Sequence, residues 1–580
     1  MRGRSRGRAW RASPQLRSPR LDRFRVPLWV LVGLLATAWL LLLPASAQPW
    51  ELIPGSSQAP DLQGTAQYHW LTHERGLMGV SSSRMQMYPV TVDRLAWSGV
   101  PMDGLASWPF AKLFGWPAGF TVFWVVVLWA LGITHAWLAG AWWRSPVAAF
   151  AGGVLAQTSA PLLRELCYGR PTQVFAAVFV PLALGAFARA LNSNSHREAL
   201  FAGLALALCT LSYWYFGFFC VLAMCALWFF APSERPKGKV TAFTAAGAVL
   251  PTFLPAAYTY AVLKPEPSMT AGLQSLFAHE GVETTLSQLL EKSDLWSQLP
   301  QGLIAFLPLL FVLVAVGFFC QRVAQRTVPA LWIIAGVLLA MGPWLFSTGS
   351  LQVPGPWALV AEVPVLQRLW WPDRAMLLTV PGLVVLGSGG AAWLWERAQD
   401  RAPFQGRPGG AVLFSLGLGG FLLFEAMLGL KTLPLPATPA TPSAHSEVLA
   451  KGEGPLLILP QASGPYRYGR HMLIDQIHHG RPLVNGMFPP DSSSAPASYR
   501  KVADLPPFRH LYECAFRPEA QYAHDAALGR ATLSKLGITS VYVDAAAFPD
   551  GKADPRYLSC VAEVLGEPTE QDGPFQIYAL

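Results

Sequence analysis

The stretch "VPLWVLVGLLATAWLLLLPASA" (residues 26–47) carries no charged side chain and decides the class of this chain. About 20 consecutive apolar residues suffice to cross a bilayer as a helix. Nine arginines precede it (Arg2, Arg4, Arg6, Arg8, Arg11, Arg17, Arg20, Arg23 and Arg25), against the single acid Asp22. A basic tail directly before an apolar helix is the signature of an N-terminus held in the cytoplasm. The closing "ASA" resembles a signal-peptidase site. The apolar core is long for a signal peptide, however, and more apolar runs follow, so the stretch reads as an uncleaved first span.

The rest of the composition agrees. Hydrophobic residues make up 52% of the 580 residues and charged residues only 13%. An ordinary soluble domain carries about 25% charge. The 23 tryptophans suit the membrane–water interface, and the 51 glycines and 50 prolines are tolerated in spanning helices. The net charge of +9 sits largely in the N-terminal tail. That distribution argues for orientation in a membrane and gives no reason to expect a nucleic-acid partner. Binding of anionic headgroups is secondary.

Eleven segments qualify as spans: 26–46, 118–140, 146–163, 172–191, 199–212, 214–231, 240–263, 302–321, 328–346, 374–395 and 410–430. The run 199–231 is too long for one straight span and short for two. It is split here at "SYWYFG", whose aromatics suit an interface; a single tilted helix would invert everything downstream. Loop charge favours the split. With the N-terminus inside, the loops 142–145, 192–198, 231–239, 321–326 and 396–408 all fall in the cytoplasm, and each contains Lys or Arg. The opposite side receives 264–301, with Glu266, Glu280, Glu283, Glu291 and Asp294 against two lysines. The fold expected is an all-α polytopic membrane protein with a small C-terminal α/β domain on the outer side.

The divisions are a cytoplasmic tail (1–25), a membrane domain (26–430), a Pro-rich spacer (431–445, "LPLPATPATPSAH") and the α/β domain (446–580). The outer loop 48–117 has aromatic and apolar spacings that suit short interfacial helices. In the tail, "GPLLILPQ", 537–544 and 575–580 read as strands, and 468–479 and 521–536 as helices. "GPYRYGR" lacks the Lys-Ser/Thr of a phosphate-binding loop. Cys209, Cys220, Cys225 and Cys320 lie in apolar runs and read as buried small hydrophobes. Cys514 and Cys560 share the tail, and a disulfide between them is plausible if the tail lies outside the cytoplasm.

Three polar clusters fall on the outer side of this topology. The first, "PDLQGTAQYHW" (60–70), offers Asp61 and His69 just beyond the first span, with His73 and Glu74 following. Taken alone, Asp61 is best read as the cap of a helix starting near Leu62 on a solvated loop. The second, "RELCYGRP" (164–171), is read as a turn between spans and packs Arg164, Glu165, Tyr168 and Arg170 together. An exposed Arg–Glu pair would contribute only about 0–1 kcal/mol; a cation-binding or nucleophile-activating carboxylate with phosphate-binding arginines is the functional reading. The third, "RLWWPDRAM" (368–376), brings Arg368 and Arg374 beside Trp370 and Trp371. Arginine can grip a phosphate through two donors where lysine cannot, although arginines that merely anchor a helix end are common.

The arrangement resembles the GT-C class of membrane glycosyltransferases, which use polyprenyl-phosphate sugars. The stretches that carry the resemblance are "PDLQGTAQYHW", "YPVTVDRL", "WPFAKLFGWPAGFTVFWVVVL", "LCYGRPTQVFAAVFVPLALGAFARAL", "WPDRAMLLTVPGLVVLGSGGAAWL", and in the tail "RPLVNGMFPP" and "LGITSVYVD". It is most similar to bacterial members with a C-terminal extracytoplasmic domain. The resemblance implies transfer of a sugar from a polyprenyl phosphate to a glycan, lipid or protein acceptor at the outer face of the cytoplasmic membrane. It maps the first-loop acid onto Asp61, as general base or ligand of a divalent cation (Mg or Mn). It maps the second-loop acid onto Glu165 and the phosphate-meeting arginine onto Arg374. Arg170, Arg164, Tyr168 and His69 are the accompanying candidates for substrate binding. Many members carry an acid pair in one of these loops, whereas here each loop offers one acid at the expected place.

The rival class is a non-catalytic transporter or envelope-assembly scaffold. Transporters place polar residues mid-span, often in broken helices. Glu425 in the last span is the residue that favours this alternative, as a proton-coupling site.

Overall fold

The computed structural model describes residues 24–57, 59–81, 83–91, 102–231, 237–258, 308–342, 344–348, 351–361, 372–399, 409–430, 433–442, 444–460, 472–486, 497–514, 526–545, 548, 553–573 and 575–580. The acidic loop 264–301, the basic residues before 24, and Arg368, Trp370 and Trp371 lie outside the described residues.

The N-terminal part is helical. It opens with α1 (Leu28–Leu41), a short strand β1 (Leu52–Pro54), α2 (Pro60–Ser81) and α3 (Met102–Phe114). Then come α4 (Ala118–Trp143), α5 (Pro146–Gln157), α6 (Ala160–Cys167), α7 (Pro171–Ala177) and α8 (Phe179–Ser193). Next are α9 (His196–Ser212), α10 (Trp214–Phe230), α11 (Lys237–Tyr258), α12 (Pro308–Cys320) and α13 (Val323–Ala340). A hairpin of β2 (Trp344–Thr348) and β3 (Leu351–Pro354), a 3-10 turn at Pro372–Leu378, α14 (Thr379–Ala398) and α15 (Gly410–Gly429) follow.

Among the described residues, six stretches are long and apolar enough to cross a membrane: Ala118–Trp143, Pro146–Cys167, Pro171–Ser193, Val323–Ala340, Pro372–Ala398 and Gly410–Gly429. Leu28–Leu41, Trp214–Phe230 and Pro308–Cys320 are shorter apolar helices. The run 199–231 is two helices, because Tyr213 is extended (φ −157°, ψ 104°) between α9 and α10. The segment expected to span 328–346 stops early. Its helix ends at Ala340, Gly342 adopts φ +81°, and Trp344 onward is strand.

Small residues let the helices approach closely. A Cβ on Gly317 would overlap the backbone carbonyl of Leu386, so α12 lies directly on α14. Buried Gln157, at the end of α5, donates to Leu34 O at 2.9 Å and Leu128 O at 3.0 Å, stitching α1, α4 and α5 together. A polar side chain in such a core must find partners, and these two carbonyls supply them.

The tail contains β4 (Ala437–Pro439), β5 (Leu456–Leu459), α16 (Met472–His479), α17 (Pro506–Glu513), α18 (Ala526–Lys535), β6 (Ser540–Asp544), α19 (Pro555–Leu565), β7 (Glu570–Asp572) and β8 (Phe575–Ala579). The sheet runs β5-β6-β8-β7, with β5 parallel to β6 and the other pairs antiparallel. β5 and β6 are buried along their whole length, as their nearly unbroken apolar sequences require. The expected helices 468–479 and 521–536 begin outside the described residues, which show α16 and α18. Cys514 and Cys560 form a disulfide between the end of α17 and α19.

Three expectations need correction. The Pro-rich segment is not all spacer, since β4 pairs antiparallel with β1. The first outer loop does not lie loosely in water: Leu62, Ala66, Gln67, Leu71 and Thr72 of α2 are all buried, while α3 exposes Trp108, Leu113 and Phe114. Gln67 donates to Gln476 of α16 at 2.8 Å, and Met87 enters the core of the tail. Cys225 and Cys320, expected to be buried, are exposed on outward faces of their helices.

Candidate active site

The centre of the site is a helix ending. α6 terminates in a Schellman motif: Arg170 N donates to Glu165 O at 2.8 Å and Gly169 N to Leu166 O at 3.0 Å. Gly169 sits at φ +71°, a conformation that costs other residues, and Pro171 starts α7. The sequence therefore places Glu165 in the last turn of a helix and folds Arg170 back beside it. The stretch 164–167 is helical, and the turn proper is only Tyr168–Arg170. Leu162, Leu163 and Leu166 draw this last piece of helix into the core.

α2 meets this turn edge-on. A Cβ on Gly169 would overlap the backbone nitrogen of Leu62, so glycine lets the turn reach the first turn of α2. Thr65 Oγ1 bridges Asp61 O (2.9 Å) and Gly169 O (3.3 Å). Asp61 is thereby brought to Arg170: Nε donates to Asp61 Oδ2 at 2.7 Å. The same guanidinium lies 3.7 Å from Glu165 Oε2 through NH1. Burial opposes the charge on Arg170, yet its hydrogen bond to Asp61 and the nearby charges of Glu165, Asp61 and Asp373 prevail and raise its pKa above the ordinary value.

The third arm is the 3-10 turn before α14. Asp373 pairs with Arg164, and Arg374 extends over the faces of Tyr213 and Tyr215, 5.0 and 5.3 Å from the ring centroids. The break between α9 and α10 thus supplies an aromatic ledge for an arginine from a segment remote in the chain. Arg374, Arg170, Asp373 and Arg164 are the charges that act on Glu165. Tyr168, half exposed, places its ring 5.7 Å from both the Arg164 and the Arg170 guanidinium.

Glu165, Arg164, Asp373 and Arg374 line an open cleft of about 370 Å³ together with Pro161, Leu162, Phe216, Met376 and Leu377. A second cleft of about 630 Å³ shares Pro161 and Met376 with it and runs between Leu155, Leu310, Val380, Leu383, Val384 and Leu422. One is charged and the other is mostly apolar, and they share a wall.

The comparisons bear on the fold. No family model matches the sequence, and no curated protein matches it at the sequence level. The chain is similar to the structure of the arabinofuranosyltransferase AftD from Mycobacteria, with TM-score 0.55 and 16% identity over 97% of this chain and 42% of that one. The fold is GT-C-like. Also similar are the archaeal oligosaccharyltransferase AglB from Archaeoglobus fulgidus (TM-score 0.49, 11% identity, 93% of this chain and 71% of that one) and ArnT from Cupriavidus metallidurans (TM-score 0.48, 13% identity, 95% and 97%). The chain spans well under half the length of AftD.

On this GT-C-like frame, Arg164, Glu165 and Arg374 line the charged cleft, while Arg170, Asp61 and Tyr168 lie beside it, Arg170 against Glu165, Asp61 on Arg170, and Tyr168 against the Arg164 and Arg170 guanidiniums. His69 does not join them. It lies two turns further along α2, buried against Phe120, Phe123 and Trp124, with Nδ1 2.8 Å from Ser107 Oγ and Nε2 3.4 Å from Asp103 Oδ2. Its neighbour Glu74 is half exposed and pairs with His73. Glu425 is separate too: it lines the apolar cleft and accepts from Leu309 N at 2.5 Å, at the start of α12. Sequence reasoning missed Asp373, Tyr213 and Tyr215, although they lie within "WPDR" and "SYWY". It also missed Asp103, which nothing in the sequence marks.

The carboxylates of the site are already engaged by arginines and do not stand as ready ligands for a divalent cation. Asp61 and Glu165 share one guanidinium, and Asp61, Glu165 and Asp373 face Arg164, Arg170 and Arg374, so a divalent ion would have to displace an arginine. Among the described residues no three His, Cys, Asp or Glu side chains gather as metal ligands would.

Proposed function

We propose that this protein is a membrane glycosyltransferase that moves a sugar from a polyprenyl-phosphate donor to an acceptor at the outer face of the cytoplasmic membrane. The observation that carries this reading is the shared wall between the charged cleft and the apolar one. A ligand with an anionic head and a long hydrocarbon chain needs both surfaces side by side. The similarity in fold to an arabinofuranosyltransferase supports it.

In this reading Arg374, held on its tyrosine ledge, receives the donor phosphate. Asp61 is more open than Glu165 (30% against 7% of the side chain exposed) and acts as general base. The acceptor hydroxyl passes its proton to Asp61 as its oxygen bonds to the sugar. The bond from sugar to phosphate breaks, and the electron pair leaves with the phosphate, where guanidinium groups stabilise it. Glu165 holds Arg170 and Arg374 in place. With Asp61 and Glu165 paired to Arg170, this step uses no metal, and transfer that survives EDTA is the expected result.

The arrangement of eleven spans, with an outer domain over 446–580, belongs to the same proposal. It rests on the Lys/Arg loop bias, and the Cys514–Cys560 disulfide suits an oxidising compartment. The acceptor class is a glycan, a lipid or a protein.

The test is incubation of the purified protein with labelled polyprenyl-phosphate sugars and membrane extract. Arg374→Lys keeps the charge but loses the planar fork and its stacking, and a loss of roughly 10-fold or more is expected. Asp61→Asn abolishes transfer, and Glu425→Gln spares it. Unaltered transfer in Asp61→Asn, or loss confined to Glu425→Gln, refutes the assignment.

A further inference from the structure

Asp103 stands outside every cluster that the sequence singles out, yet it touches both α2 and α7, the helices whose ends carry the paired Asp61 and Arg170. It lies in the first turn of α3 and is 1% exposed. Its Oδ2 accepts from Thr172 Oγ1 at 2.7 Å and lies 3.4 Å from His69 Nε2. Thr172 is two residues beyond Arg170, at the start of α7. His69 is eight residues beyond Asp61 on α2, about 12 Å along the helix axis at 1.5 Å per residue. Asp103 therefore joins α2 to α7 at a second point, away from the Asp61–Arg170 pair.

That second point matters mechanically. The Asp61–Arg170 and Thr65–Gly169 contacts lie within about one turn of α2 and leave the helices able to pivot there, whereas a further link about 12 Å along α2 from Asp61 fixes their relative angle. The second link is well seated. Ser107, one turn on in α3, meets His69 Nδ1 and donates its own proton to Gly104 O at 2.8 Å. The rings of Tyr68, Phe120, Phe123 and Trp124 close around the imidazole at centroid distances between 5.1 and 5.8 Å. Gly104 completes the fit, since a Cβ there would overlap the Tyr68 ring. Burial pushes the Asp103 carboxyl up, but the hydrogen bonds and charge it receives from His69, with Thr172, hold it below the ordinary carboxylate value.

We propose that Asp103 is a positioning residue for the transfer site: through Thr172 and His69 it fixes α7 against α2 at the angle where Arg170 meets Asp61. It acts through these partners and does not touch the substrate. The proposal rests on the glycosyltransferase reading for its kinetic consequence, but its geometric consequence stands apart from it.

The experiment uses the native cysteines of the full-length protein. Cys167 is buried at the end of α6, beside the turn that Asp103 is inferred to hold. Cys225 and Cys320 are exposed, and Cys209 and Cys220 are buried in other helices. Maleimide labelling of each is followed by mass spectrometry in wild type, Asp103→Asn and Thr172→Val. Expected is about a 10-fold faster labelling of Cys167 in both variants, with the other four cysteines unchanged, and no further gain in the double variant because both act through one link. In the transfer assay kcat falls by about the same factor while KM for the donor stays within about 2-fold, the pattern of a loss felt only in the transition state. Labelling of Cys167 at the wild-type rate in both variants overturns the proposal, as does a KM effect without a kcat effect. If Asp103→Asn also exposes Cys209 and Cys220 it has unfolded, and Thr172→Val, which removes one hydroxyl, decides. Should wild type show no sugar transfer at all, the function reading falls while the Cys167 result still judges the positioning role.

Discussion

Replacing Gly169 by alanine tests how the two halves of the cleft come together. Gly169 sits at φ +71°, where a side chain costs about 1–2 kcal/mol. A Cβ at this position would overlap the backbone nitrogen and Cα of Leu62. No rotamer change relieves a clash with backbone, so overpacking adds about 1–3 kcal/mol. The sum is roughly 2–5 kcal/mol. Relief needs the turn to retreat from α2 by about 1 Å, which stretches the 2.7 Å bond from Arg170 to Asp61 past hydrogen-bond range. A misplacement of that size costs on the order of 100-fold in rate. Gly420→Ala is the matched control. It lies in α15 with nothing within 4 Å of an added Cβ, and alanine there gains about 0.5–1 kcal/mol. Both variants are compared by thermal unfolding in detergent and by sugar transfer. The reasoning is refuted if Gly169→Ala melts as high as Gly420→Ala and transfers sugar at the wild-type rate.

Two further outcomes concern the tail. The Cys514–Cys560 bridge closes a sequence separation of 46 residues, worth about 4 kcal/mol by loop entropy; the Cys514→Ala/Cys560→Ala double variant should lose the tail to limited proteolysis far faster than wild type, with the remaining helices intact. The Tyr578 hydroxyl is pushed up to about 12 by burial and then by the Glu567 charge. Its neutral form is favoured in the folded state, so this contribution is complete below pH 10 and is lost as pH rises from 10 towards 12. A difference titration near 295 nm between wild type and Tyr578→Phe should show one phenol ionising about two pH units late.

Much of this molecule was written in its sequence because hydrocarbon imposes a local rule. A run such as 26–47 must satisfy its backbone internally, and it does so as helix over Leu28–Leu41, 14 residues, before the chain turns at 42–47. The extended residue at Tyr213 fell inside "SYWYFG" for a related reason: aromatics gather where chain leaves the apolar layer. In the tail, "LLIL" and "SVYVD" read as strands because buried strands need apolar residues on both faces. Spacing and charge bias also placed Asp61, Glu165 and Arg374 on one side. Their meeting depends on contacts between segments far apart in the chain. Gly169 fits under Leu62, Asp373 takes Arg164, and Tyr213 and Tyr215 shelve Arg374. None of these partners is periodic or local, so no pattern in the sequence announces them. Asp103 shows the limit most sharply. As one acid in an amphipathic stretch it looks solvated, and only the packing of α2, α3 and α7 around it turns it into a buried link between two helices. Local chemistry decided which elements form and on which side of the membrane each polar cluster is read. Close packing of remote backbone decided which of those clusters share one cleft.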